Sequence, residues 1–247
     1  MSSRVHIRFL GSGDAFGSGG RLQTSILVES GGFHALLDCG TTALIGLKRA
    51  AIDPAAIDAI LVSHLHGDHS GGIPFFLLDA QFSHRLRPLV VAGPPGLAER
   101  LTQAMEVFFP GSSRVERKFE TKVVEVPPEI PTSLGALSVT AYEVRHESGA
   151  PAYALRLELA GRVLAYSGDT EWTEALPRAA KDTDLFICEA YFYEKRVPFH
   201  LDYRTLMEHR SEIRTKRLVV THMSADMLER LTKLEVEAAS DGRVLEL

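Results

Sequence analysis

The sequence predicts an α/β layered domain. Three observations carry that reading. Short apolar strand-like runs are mixed with helix-like segments along the whole chain. The two halves look alike, each a run of strands followed by strand–loop–helix units. Five apolar strands finish in a histidine or an acidic residue, which lines one sheet edge with chemically active groups. No linker of disordered composition separates the halves, so residues 1–247 read as a single domain.

The elements follow in order. Arg4–Phe9 alternates as a strand, and "GSGDAFGSGG" reads as a long flexible loop. Thr24–Glu29 and His34–Asp38 form a hairpin around "SGG". Thr42–Ala51 reads as a helix, and Ile57–Val62 as a short apolar strand running into "VSHLHGDHSGG". Ile73–Phe82 and Leu97–Phe108 have helical spacing, with a buried strand, Leu89–Ala92, between them. Strands are expected near Arg114–Phe119, Lys122–Val126 and Leu137–Val144. Tyr153–Leu159 and Arg162–Tyr166 make a second hairpin through "AG". Leu185–Cys188 and Leu218–Thr221 are buried strands flanking a helix over Tyr203–Ile213. A helix over Ala225–Arg230 and two short strands close the chain.

Bulk properties narrow the class. At 45% hydrophobic and 24% charged, the composition is that of a soluble globular protein with a sizeable core. A net charge of −5 without a basic block argues against a broad nucleic-acid surface. Cys39 and Cys188 sit in apolar runs and read as reduced core thiols, which suits a reducing compartment. The first residues carry too short an apolar run for a signal peptide, and no stretch approaches the roughly 20 residues of a membrane span. A cytoplasmic protein with no membrane contact is expected.

The strand ends carry the chemistry. "AILVS" leads into His64, His66, Asp68 and His69; "VTAYEVR" into His146; "VLAYSG" into Asp169; "DLFIC" into Glu189; "RLVVT" into His222. Imidazole and carboxylate are the usual ligands of zinc and similar divalent ions. His64 and His66, two apart, can face one ion, while Asp68 and His69 fall to the other side and can serve a second. Gly67 is expected to let the chain turn sharply between the pairs, and Gly71 and Gly72 to permit close packing at the next helix. Asp14 either reaches the site mouth or serves as a plain turn aspartate. His6, His34, His84 and His209 fall outside the pattern and read as surface or core histidines. Phe75, Phe76, Phe108, Phe109, Tyr191, Phe192, Tyr193 and Phe199 read mostly as core or pocket wall. In "YFYEKRVPF", Lys195 and Arg196 are weak candidates for meeting substrate charge.

"HLHGDH" resembles the HxHxDH signature of the metallo-β-lactamase fold superfamily, and four further motifs follow the family's order: "LLDCG", the isolated His146, "YSGDT" and "VVTHMS". The resemblance implies a four-layer αβ/βα sandwich with two divalent metal ions, zinc first and manganese or iron as alternatives. It implies His64, His66 and His146 on one ion, Asp68, His69 and His222 on the other, and Asp169 bridging. "ICEAYF" followed by "FHLDYRTL" is similar to the ribonuclease Z and phosphodiesterase branch, in which Glu189 and His200 would act together. The chain departs from ribonuclease Z at two places: "ESGAPAYALRLEL" leaves no room for a transfer-RNA-gripping arm after His146, and "HLDY" replaces an HST-type motif.

The function so implied is a dinuclear metal-dependent phosphodiesterase. A metal-bridging hydroxide is the nucleophile, held by Asp68; His200 is the general acid and Glu189 fixes its tautomer. The substrate is a small phosphodiester or nucleotide, and the relatives suggest a homodimer. The alternatives are a ribonuclease Z-type RNA endonuclease, a hydrolase of lactone, thioester or arylsulfate, and a non-hydrolytic metal-binding protein.

Overall fold

The structure, a computed structural model, describes residues 4–247. The first half runs β1 (His6–Gly11), β2 (Ser25–Ser30), β3 (Phe33–Leu37), α1 (Ala43–Arg49), β4 (Ala59–Leu61), α2 (Gly67–Ser70), α3 (Ile73–Phe82), β5 (Leu89–Gly93), α4 (Leu97–Phe108) and β6 (Thr121–Glu125). The second runs β7 (Thr132–Leu134), β8 (Leu137–Val144), β9 (Ala152–Leu159), β10 (Arg162–Tyr166), α5 (Ala175–Ala179), β11 (Leu185–Glu189), α6 (Tyr203–Glu208), β12 (Leu218–Thr221), α7 (Ala225–Leu228) and β13 (Glu237–Ala238). A last strand, β14 (Val244–Glu246), returns to pair with β1.

These strands form two seven-stranded sheets, in the orders β14-β1-β2-β3-β4-β5-β6 and β13-β12-β11-β10-β9-β8-β7. In each, an antiparallel run continues into a parallel one: β3–β6 are parallel in the first sheet and β10–β13 in the second. The likeness of the two halves is therefore a likeness of sheet order.

Side-chain alternation sorts the layers. Ile26, Val28 and Leu37 of the first sheet meet Leu155, Leu157 and Ile187 of the second in one shared core. Leu27, Leu36 and Ile60 face the other way, against α1, α3 and α4. Phe186, Cys188 and Val220 pack against Leu176, Leu206 and Met227 of α5, α6 and α7. The result is four layers, helix–sheet–sheet–helix, as expected. Strands β4, β11 and β12, buried on both faces, read as nearly continuous apolar runs.

Several boundaries differ from the sequence reading. The strand expected over Arg114–Phe119 is absent: a 3-10 turn covers Ser112–Arg114, and Arg117 folds back to donate to the Ser112 carbonyl at 2.7 Å. Only Phe119 of that polar run is buried after the turn, so it has no apolar face to lay on a sheet. The helix expected to Ile213 stops at Glu208, because His209 stacks on Trp172 with ring centroids 4.1 Å apart and a short 3-10 turn follows. Strand β7 was not expected. Phe75 and Phe108 are not core: they are 37% and 48% exposed and touch each other on the outside of α3 and α4. The loop "GSGDAFGSGG" is tied down rather than flexible, since buried Asp14 accepts from Ser18 N at 2.9 Å and Ser18 Oγ at 2.7 Å.

Two glycines behave differently from one another. A Cβ on Gly72 would sit 2.1 Å from the Gly40 carbonyl oxygen, so the close approach expected there is real. Gly67 makes no tight turn: it opens α2 with ordinary backbone angles, and a Cβ there would meet nothing within 4 Å. Cys39 and Cys188 are free and buried on the outer faces of different sheets. Among the described residues no helix is long and apolar enough to cross a membrane.

Candidate metal centre

The C-terminal ends of five strands converge at one edge of the sandwich. β4 delivers His64 and His66, then α2 delivers Asp68 and His69. His146 follows β8, Asp169 follows β10, Glu189 ends β11 and His222 follows β12. The ligand-type atoms form three close groups: His64, His66 and His146; Asp68, His69, Asp169 and His222; and His146, Asp169 and His200. All seven residues expected to hold metal are thus brought together, four from the first sheet's connections and three from the second's.

Distances set Asp169 between the groups. Its Oδ1 lies 3.3 Å from His69 Nε2, and its Oδ2 lies 3.2 Å from His222 Nε2 and 3.9 Å from His64 Nε2. Asp68 Oδ2 is 3.3 Å from His69 Nε2. His64 Nε2, His69 Nε2 and Asp169 Oδ1 are buried without a hydrogen-bond partner. Unsatisfied buried polar atoms are costly, and here they converge on shared points. Divalent cations satisfy such a donor set, so the residues fit a metal.

Partners whose roles the sequence reading did not give aim these candidate ligands. Asp38, just after β3, is fully buried and its carboxylate accepts from Ser63 N (2.7 Å), Ser63 Oγ (2.8 Å), Tyr166 OH (2.8 Å) and His69 Nδ1 (2.6 Å). That bond fixes the His69 tautomer and turns Nε2 to the cluster. His146 Nδ1 donates to the Phe199 carbonyl at 2.8 Å. His222 Nδ1 is 3.2 Å from Thr24 Oγ1. Such outer contacts orient a metal's ligands. Asp38, Phe199 and His222 all take positive φ, 59°, 66° and 56°, a strain this network holds in place.

The electrostatics favour the ligating form at three of the histidines, whereas at His69 burial is outweighed by Asp169, Asp38 and Asp68, which raise it well above its usual range, so a bound metal would have to displace that proton. Burial, and then the neighbouring imidazoles, hold His64 well below its usual range. Burial also lowers His146 and His222. Neutral imidazole is the ligating form. For Asp169, burial works against the charge, but His222 and His69 outweigh it and hold the carboxyl well below the usual carboxylate range.

Beside the cluster stands the Glu189–His200 pair. Glu189 is fully buried; one carboxylate oxygen accepts from Thr170 N and the other from His200 Nδ1 at 3.0 Å. Burial and the nearby Asp169 push Glu189 upward. Burial would lower His200, but the bond to Glu189 and its charge raise it to about 9. His200 lines a 210 Å³ cavity together with His66, Asp68, Asp169, Tyr191 and His222.

The remaining expectations sort out here. Asp14 is the turn aspartate of its own loop. Arg196 pairs with Glu208 at 3.1 Å, and Lys195 lies over the Phe192 ring at 4.9 Å; neither lines this cavity, though Arg196 lines the neighbouring pocket that shares His200. His209 stacks on Trp172, and the two line that neighbouring pocket, which also reaches His200.

A family model described as "Anti-Pycsar protein Apyc1" matches residues 5–238. The chain belongs to the Apyc1 family. An Apyc1 relative from Saccharibacillus brassicae is 30% identical over 168 residues, 67% of each chain. Apyc1-family membership was not legible as such, but the wider branch was: a ribonuclease Z from Agathobacter rectalis is 24% identical over 260 residues, 84% of each chain. Among solved structures, the metallo-beta-lactamase fold protein YhfI from Bacillus subtilis superposes with a TM-score of 0.79 at 21% identity, covering 99% of this chain and 100% of that one. The fold is therefore the metallo-β-lactamase sandwich. Fold, relatives and the His/Asp cluster together make this Apyc1-family chain a metal-dependent hydrolase.

Proposed function

We propose that the chain is a dinuclear phosphodiesterase acting on a small phosphodiester of nucleotide type. One ion would be held by His64, His66 and His146, the other by Asp68, His69 and His222, with Asp169 reaching both. Zinc is the metal these ligand types suit first, with manganese or iron as alternatives. Bound divalent ions supply hydroxide at neutral pH by lowering the pKa of water toward about 7, and they offset charge on phosphoryl oxygens.

The observation that carries the proposal is the Glu189–His200 pair on the wall of the ligand cavity. Cleaving a phosphodiester expels an alkoxide, a poor leaving group that benefits from a proton as it departs. Nδ1 of His200 is taken by Glu189, so Nε2 is the nitrogen that can present that proton. The same bond argues against reading His200 as a further metal ligand through Nδ1, although it lies 4.0 Å from Asp169 Oδ2. Asp68, which with Asp169 is one of the two acids lining the cavity, would orient the attacking water. A thioester needs no such acid, because a thiolate leaves unaided.

The size of the substrate follows from two features. The cavity holds 210 Å³, and the connection between β8 and β9 is only residues 145–151. Both support a small substrate over a gripped transfer RNA. The relatives named ribonuclease Z keep an RNA endonuclease as the second reading. The role in the family's name, anti-Pycsar, is extended to this chain as part of the same proposal.

The test is metal analysis followed by one assay panel: bis(p-nitrophenyl) phosphate, cyclic nucleotides, precursor transfer RNA, a lactone and a thioester. Turnover is expected on the phosphodiesters and cyclic nucleotides. Turnover of carbon esters alone would overturn the proposal, and preferred cleavage of precursor transfer RNA would favour the second reading.

A further inference from the structure

Phe16 stands where the ligand cavity opens. Its side chain is 84% exposed, yet it walls the same 210 Å³ space as Asp68, Tyr191, His200 and His222. Single exposed apolar side chains are ordinary on protein surfaces and need no function. Two further observations separate this one from that background.

First, the backbone that carries it is held still. The carboxylate of buried Asp14 accepts from Phe16 N at 3.2 Å as well as from Ser18 N and Ser18 Oγ. Gln23 Nε2 donates to the Ala15 carbonyl at 3.0 Å, and Gly13 bridges to both Gln23 and Met223. An apolar ring on a pre-ordered loop loses little freedom when a ligand covers it. Second, the cavity has two chemical ends. Its floor is the His/Asp cluster, while its aromatic wall is Phe16 together with Tyr191, whose ring lies 4.8 Å from that of His200 and 6.0 Å from that of His222. A ligand filling it carries a charged group at the floor and a flat apolar group at the mouth.

We propose that Phe16 stacks on the base of a nucleotide phosphodiester while the phosphate lies at the His/Asp cluster, with Tyr191 lining the other aromatic side. The proposal rests on the phosphodiesterase reading above. It makes Phe16 a substrate-binding residue that selects nucleotides over sugar phosphates. Every base has a π face, so the selection tolerates both purines and pyrimidines.

The test compares wild type, F16A and F16W, each loaded with metal, on a cyclic nucleotide and on the same cyclic sugar phosphate without its base. The readout is the ratio of kcat/KM for the two substrates. F16A is expected to lower that preference roughly tenfold, mainly through KM, and F16W to restore it. A preference unchanged in F16A, or both substrates slowed equally, overturns the proposal. Wild-type inactivity on every phosphodiester would sink the reaction reading instead. Calorimetric binding of a nucleoside monophosphate then decides the stacking: affinity roughly tenfold weaker in F16A supports it, and equal affinity or no binding overturns it. Phe16 is exposed, so F16A should keep the wild-type unfolding midpoint, which is measured alongside.

Discussion

The proton on His200 is set by a neighbour that never touches solvent. Glu189 is fully buried, its carboxylate faces Nδ1 at 3.0 Å, and the imidazole titrates at about 9 rather than near its ordinary value. Below that pH the ring is protonated and can act as an acid; above it the proton is gone. Activity on diesters with poor leaving groups should therefore fall as pH rises through about 9. H200A should slow those substrates by about 10²–10⁴-fold, spare p-nitrophenyl leaving groups far more, and remove the alkaline fall. Metal content measured alongside should match wild type. Loss of metal in H200A would make the histidine a ligand, and an unchanged alkaline limb would take the acid role away from it.

At the scale of elements, α6 decides where His200 stands. The chain enters this helix through Asp202, whose side chain accepts from Thr205 N at 2.9 Å and Thr205 Oγ1 at 2.7 Å. Just upstream, Phe199 at positive φ gives its carbonyl to His146 and turns the chain so that His200 faces Glu189. D202A removes the cap and should cost about 1 kcal/mol, read as a lower denaturant midpoint with an unchanged slope, while D202N should keep most of it. An unshifted midpoint in D202A would mean that packing alone holds the helix. An aspartate immediately before a helix caps it by a local rule, one that needs no distant neighbour. The residues of the candidate centre were legible for a similar reason: they follow the ends of apolar strands, and a strand end is visible without knowing its neighbours. Asp38, Tyr166 and Thr24 were not, because their roles exist only once β3, β10 and the loop before β2 are brought beside residues 31, 128 and 198 positions away. The shortened helix after Tyr203 failed on the same ground, since the contact of His209 with Trp172 overrode local pattern, whereas the missing strand over Arg114–Phe119 failed locally, for want of an apolar face.

For the whole molecule, the consequence is that the two sheets share one site. His64, His66, Asp68 and His69 hang from the first sheet, and His146, Asp169 and His222 from the second, so ions held among them tie the halves together beyond the apolar core. Without them, buried His64 Nε2, His69 Nε2 and Asp169 Oδ1 stay unsatisfied. The unfolded chain scatters these ligands over more than 150 positions, and it offers no comparable site. Binding to the folded state alone stabilises it by about 2.7 kcal/mol when free metal is 100 times its dissociation constant. For a chain of this size, each kcal/mol moves the unfolding temperature by about 2–4 °C. Chelation should therefore lower the calorimetric midpoint by about 5–10 °C, and zinc added back should restore it in wild type. D169A should lose most of that response, because Asp169 is the residue within reach of both ligand groups. H200A should keep it. A midpoint indifferent to chelator and to zinc would show that the cluster does not bind divalent metal, and a full response in D169A would remove Asp169 from the bridge.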